Sequence, residues 1–265
     1  MQLCEQDIQR FEQDGVILLP GLLNAEWVDT CLNAWTWSVT HPGPLASGLL
    51  PGSSTAFQDL CNPKSLPIYG SVIHGSPLGD VARQLWRGSP VWYMYEQVFH
   101  KGGLAGRTPW HQDTSYLAVD GSHLIAFWIS FENLPQSHGL EFVRGSHRGT
   151  LFNTSRFDAN DPTLPIYPSE SVPRLPNVET DRSAFDIISF ATKPGDVVAF
   201  HTSTLHGGGA VDQSVTERRT LTLRFFGEDS ISAVRPGAAG PFYEDIKTLR
   251  AGERFRHVRF PQVRH

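Results

Sequence analysis

An all-β jelly-roll core with flanking helices is the fold that the 265-residue sequence predicts. From residue 90 onward the runs VWYMYEQVF, HQDTSYLAV, HLIAFWISFENL, GLEFVRG, GDVVAFH and RRTLTLRFFGE are short, rich in β-branched and aromatic residues, and separated by turn residues. That pattern fits antiparallel strands closing two sheets over one core. Ahead of these runs the apolar spacing is helical, and 24 glycines and 19 prolines suit a globular chain with many turns.

In chain order, residues 5–14 predict a short amphipathic helix, with Ile8 and Phe11 on one face and Gly15 to end it. A buried strand follows at 16–20. Asn24 caps a helix running to about Ser38, whose apolar stripe is Trp27, Cys31 and Trp35. Residues 40–75 carry many Pro, Gly and Ser and predict a loop or lid. Ser76-Pro77 starts a helix extending to about Arg87. After the first strands, residues 148–190 form a polar stretch with repeated Pro, too long for an ordinary connection and of the kind that forms functional lids or binding segments. The whole predicts one domain over 1–265: a helical N-terminal part about 1–89, a jelly-roll core about 90–230 and a C-terminal tail 231–265.

Net charge is −5 and the pI is about 6.1, so no global basic field favours nucleic acid or an anionic membrane. Cys4, Cys31 and Cys61 form neither an even set nor a CxxC pair, which points to a reducing, cytoplasmic compartment. The first residues lack the basic end and apolar stretch of a secretory signal, and no run of about 18 apolar residues occurs.

The chemistry concentrates in three places. His111-Gln112-Asp113 lies in TPWHQDTSY, His206 lies far downstream in LHGGG, and Arg218-Arg219 follows in ERRTLTLRF. On a strand, residues i and i+2 share a face, so His111 and Asp113 would grip one metal ion while Gln112 faces away. A lone His-x-Asp is weak, since about 0.6 such triplets are expected by chance here. Its context is stronger: GDVVAFH reads as a turn entering a buried strand just ahead of His206. Two histidines and one carboxylate on one face of a metal leave three positions open, the arrangement of non-haem Fe(II) oxygenases. An arginine nearby suits an acidic co-substrate, because its planar fork binds a carboxylate through paired hydrogen bonds.

TPWHQD…Y, the run GLEFVRGSHR, GDVVAFH…LHGG and RRTLTLRFFGED together resemble the phytanoyl-CoA dioxygenase family of Fe(II)/2-oxoglutarate oxygenases, over about Glu96 to Asp229 with weaker similarity toward the amino terminus. The resemblance implies a double-stranded β-helix (jelly roll, cupin-like). It implies Fe(II), 2-oxoglutarate and O2 as the reacting partners, with succinate and CO2 released as a C–H bond is hydroxylated. His111, Asp113 and His206 would be the catalytic iron ligands, and Arg218 would bind the distal carboxylate of 2-oxoglutarate. Spacing alone does not separate Arg218 from Arg219. Gln97, Thr108 and Trp128 would help line the co-substrate site. In halogenating relatives a small residue replaces the carboxylate, so Asp113 argues for hydroxylation.

Tyr116 and His201 are candidate substrate contacts, each weighed against a core or hydrogen-bonding role. His138 and His147 flank GLEFVRGS and read as structural. The arginines of the tail, 250 to 264, read as a solvated face, and no convincing basic patch calls for coenzyme A. The expected partner is therefore a small metabolite or natural-product intermediate, acted on by a monomer or homodimer that binds no nucleic acid or membrane. Two rivals share the residues: a cupin-like metal-dependent isomerase or hydrolase that makes no use of 2-oxoglutarate, and a non-enzymatic jelly-roll binding module.

Overall fold

The computed structural model describes residues 1–48, 56–103, 105–212, 214–237 and 239–264. Among them the strands are, in chain order, β1 Val16–Leu19, β2 Ser47–Gly48, β3 Ala56–Leu60, β4 Val91–Gly102, β5 Thr108–His111, β6 Val119–Asp120 and β7 Leu124–Ser130. There follow β8 Leu140–Val143, β9 Ile187–Ser189, β10 Val197–His201, β11 His206–Gly208, β12 Glu217–Gly227 and β13 Ile231–Ser232. The helices are α1 Glu5–Asp14, α2 Ala25–Thr40, α3 Leu66–Gly75, α4 Leu78–Leu85 and α5 Tyr243–Ile246.

Two antiparallel sheets make the double-stranded β-helix. The larger runs β1-β10-β7-β12-β4-β3-β2 and the smaller β5-β11-β8-β9; β13 and β6 pair separately. Alternation along the large sheet sorts its two faces. Phe127, Ile129, Leu221, Leu223 and Phe225 point outward onto Cys31, Trp35, Tyr69, Val72 and Ile73 of α2 and α3, forming the main core. Trp128, Phe200, Thr220, Thr222 and Arg224 point the other way, into a cavity between the sheets.

The N-terminal part is less helical than its composition suggests. β1 pairs with β10 along its full length, and β2 and β3 extend the large sheet beyond β4. The segment expected as loop or lid at 40–75 contains β2, β3 and α3, while its residues 49–55 lie outside the described residues. Pro, Gly and Ser hid α3, although Tyr69, Val72 and Ile73 carry the i, i+3, i+4 spacing of a buried helix face. Asn24 caps α2 as expected, its side chain accepting from the Trp27 amide.

Gly15 ends α1 at φ +75°, where a side chain would also collide with His147 and Thr204. Its carbonyl accepts from the His201 amide and from Thr204 Oγ1, while Asp14 O and Gln13 O accept from Gly145 N and Arg148 Nη2. The first helix is thereby fastened to the loops that surround His206. No helix among the described residues is long and apolar enough to cross a membrane.

Candidate iron and co-substrate site

His111 closes β5 and His206 opens β11, and the two are direct cross-strand partners in an antiparallel pair. Their ring centroids are 4.2 Å apart. His111 Nδ1 lies 2.8 Å from Pro109 O, and His206 Nδ1 lies 2.8 Å from Thr204 O. A carbonyl only accepts, so both rings carry their proton on Nδ1 and present a bare Nε2. Those two nitrogens stand 3.6 and 4.0 Å from Asp113 Oδ1. The three donor atoms lie within 4.8 Å of one another.

Asp113 reaches this position by a route the sequence did not predict. The strand stops at His111, and Asp113 begins a 3-10 turn, Asp113–Tyr116, so the turn rather than i, i+2 strand alternation aims the carboxylate. Gln112 does face away: its side chain bonds Thr150 O, Ser203 O and the Phe152 amide, tying two loops together behind the site.

Arg224, unmarked in the sequence reading, completes the arrangement. Its Nε and Nη2 donate to Asp113 Oδ2 at 3.0 and 2.8 Å, leaving Oδ1 for a metal. Its guanidinium also sits 4.7 Å from the centre of the Tyr95 ring. Burial pushes the Asp113 carboxyl up, but Arg224 and the two histidines outweigh burial and hold it well below the usual carboxylate range. Burial drives His206 down to about 3, with His111 adding to the effect and Asp113 opposing it. An anionic carboxylate beside a neutral imidazole is the ligating form of each group, and two imidazoles with one carboxylate suit Fe(II).

The cavity these residues line encloses about 400 Å³. Arg218, 4% exposed, lies in its wall, with Nη1 donating to His138 O and Gly209 O. A Cβ on Gly208 would press to 3.4 Å from Arg218 Nη2 and 3.2 Å from Thr108 Oγ1, so the missing side chain keeps that wall open. Gln97, Thr108 and Trp128 line the same cavity. Across neighbouring strands Thr222 is paired with both Gln97 and Trp128, which brings these three to one level of the sheet. A five-carbon dicarboxylate with one end at the histidines and the other at Arg218 fits this space. Arg219 is turned out of it: its Nε donates to Glu132 at 2.6 Å and its guanidinium covers Trp35.

The two substrate candidates part company. Tyr116 lines the cavity, its hydroxyl donating to Ser155 O, although it belongs to the 3-10 turn rather than a strand. His201 does not line it. Phe200 faces the cavity, so the next residue of β10 faces the opposite side, where His201 bonds Ser203 N and Gly121 O and lines a second cavity. The 148–190 stretch supplies Phe157, Ile166 and Tyr167 to the first cavity. Phe157 holds φ +60° with its ring edge-on to His111 at 5.2 Å. No periodicity in that stretch marks these three residues in advance.

Lys101, paired with Arg218 across β4 and β12, is fully buried and donates to Gly106 O. Burial, with Arg218 and Arg107 nearby, pulls it down to about 6 from an ordinary 10.5. The unfolded chain therefore binds more protons than the folded one above about pH 6, and stability rises with pH there. Melting temperature is expected to climb between about pH 6 and pH 8 in the wild type, and Lys101→Met to flatten that climb; paired thermal melts check it.

This fold, with this donor group, is that of the non-haem iron, 2-oxoglutarate-dependent enzymes. The chain belongs to the phytanoyl-CoA dioxygenase family, whose profile matches residues 11–219. It is 22% identical over 191 residues to phytanoyl-CoA dioxygenase domain-containing protein 1 of Danio rerio, a match spanning 55% of this chain and 66% of that relative. Among solved structures it is similar to the non-haem α-ketoglutarate-dependent carbocyclase SnoK from nogalamycin biosynthesis, with a TM-score of 0.73 at 18% identity over 99% of this chain and 97% of that one. It is also similar to EctD from S. alaskensis in its apo form, with a TM-score of 0.70 at 19% identity over 97% and 86%. The epimerase SnoN, crystallised with Fe3+, α-ketoglutarate and nogalamycin RO, gives a TM-score of 0.71 at 18% identity over 98% of each chain.

Proposed function

We propose that this chain is an Fe(II)/2-oxoglutarate-dependent dioxygenase that hydroxylates a C–H bond of a small metabolite or natural-product intermediate. The convergence of His111 Nε2, His206 Nε2 and Asp113 Oδ1 carries the reading. Bound Fe(II), 2-oxoglutarate and O2 would supply the oxidant, with succinate and CO2 as the other products. The residues of the chain do the rest. His111, His206 and Asp113 hold the metal, the two backbone carbonyls behind the imidazoles fix their tautomers, and Arg218 anchors the distal carboxylate of the keto acid. Gln97, Thr108 and Trp128 confine it, and Tyr116 stands where a substrate would enter.

An acyl-CoA substrate is not carried over from the family name, because the cavity offers a coenzyme A no basic patch. The net charge of −5 and the three free cysteines support a cytoplasmic monomer or homodimer with no nucleic-acid partner. The shared large sheet supports a single domain over 1–265.

Adding Fe(II) and 2-oxoglutarate without oxygen is expected to give the weak visible charge-transfer band of the ternary complex, absent in His206→Ala. Folded protein that binds no iron, or shows no band, overturns the proposal. Substrate-dependent succinate formation separates it from an isomerase or hydrolase on the same ligands.

A further inference from the structure

Arg224 donates to Asp113 through only one edge of its fork. Nε and Nη2 are both spent on Oδ2, while Nη1, on the far edge, is buried with no hydrogen-bond partner. The residue is 3% exposed and lines the cavity that holds the iron ligands. An unpaired donor on a buried cation is costly, and the cost is recovered only when an acceptor arrives. Around it the cavity is walled by Leu60, Tyr95, Leu117, Phe157, Ile166 and Tyr167. The other arginine of the cavity, Arg218, already donates to two carbonyls.

We propose that Arg224 Nη1 is the polar recognition point for the substrate of the proposed dioxygenase, and that this substrate is an apolar-bodied molecule presenting a carbonyl or hydroxyl oxygen to it. The charge of Arg224 is already balanced by Asp113, so the occupant is taken as a hydrogen-bond acceptor rather than as a counter-anion. Because Arg224 grips the metal-binding carboxylate with its other edge, the oxygen it binds lies close to the metal. Oxidation is thereby directed to carbons near that oxygen.

The inference rests on the dioxygenase reading but is tested apart from it. Calorimetry compares 1-tetralone with tetralin, which share a fused-ring body and differ in one carbonyl, on protein loaded with Zn(II) and 2-oxoglutarate and again on metal-free protein. Transfer from water alone favours the hydrocarbon, so a preference for the ketone reports a donor. The ketone is expected to bind about tenfold tighter or better, the effect of one hydrogen bond to a charged group. Arg224→Lys keeps a cation on Asp113 but loses the far edge of the fork, and is expected to erase the preference while Zn(II) affinity stays within about threefold. Equal affinity for the two probes in the wild type, binding of neither, or a preference that survives Arg224→Lys in a variant melting like the wild type overturns it. Failure of the metal to bind strikes the dioxygenase reading instead, and the metal-free comparison still decides the role of Arg224.

Discussion

Asp113→Ala is expected to lose the metal and to destabilise the fold by about 3–5 kcal/mol, a double penalty that neither histidine replacement carries. The reason is Arg224. Its guanidinium is buried among β4, β7 and β12, with Asp113 as its ion-pair partner. Removing the carboxylate strands a buried cation, whereas His206→Ala removes a neutral ring and costs a cavity. Asp113→Asn separates the two effects, since an amide oxygen still accepts from Arg224 while no anion remains for iron. It is expected to fold more stably than Asp113→Ala and to bind iron no better. Asp113→Leu with Arg224→Leu is expected to be more stable than Asp113→Leu alone, because no charge is left unpaired. Urea unfolding and anaerobic iron titration measure the two quantities separately. Stability in Asp113→Ala within about 1 kcal/mol of wild type would show that the pair is not the buried bridge described.

Arg218→Met is expected to raise the 2-oxoglutarate concentration needed for half-saturation by about a hundredfold, the loss of paired charge-assisted hydrogen bonds to a carboxylate. Binding of iron alone is expected to stay within about threefold, because Arg218 does not touch the metal ligands. Arg219→Met is the control. It breaks the Glu132 pair on the outer face and is expected to move 2-oxoglutarate affinity by less than about twofold. A large effect at Arg219 with none at Arg218 would reverse the assignment. The keto-acid dependence of the charge-transfer band measures both.

The iron ligands were legible because the chemistry needs rare residue types, and because GDVVAFH and TPWH mark the strands that carry or precede them. The argument for Asp113 was nonetheless incomplete: a 3-10 turn, not strand alternation, aims it. Strand alternation did separate Arg218 from Arg219 once one face was known to be inward, and continued along β12 it selects Thr220, Thr222 and Arg224 as well. Arg224 passed unnoticed because a third arginine in RRTLTLRF looks like strand edge until the inward face is fixed. The same alternation, anchored at Phe200, turns His201 away from the cavity. Phe157, Ile166 and Tyr167 were not legible, since their placement comes from the path of an irregular segment and no period records it.

The fastening of the first helix and β1 to the rest of the molecule bears on how the protein fails. β1 covers the edge of β10, whose sequence VVAFH is apolar on both faces. Peeling away residues 1–20 would therefore do more than loosen the loops beside His206. It would bare a row of unpaired amides and carbonyls on a hydrophobic strand, a template for another chain to add to. Nicking near Gly21 is then expected to send the protein into aggregates rather than into a trimmed, less active monomer.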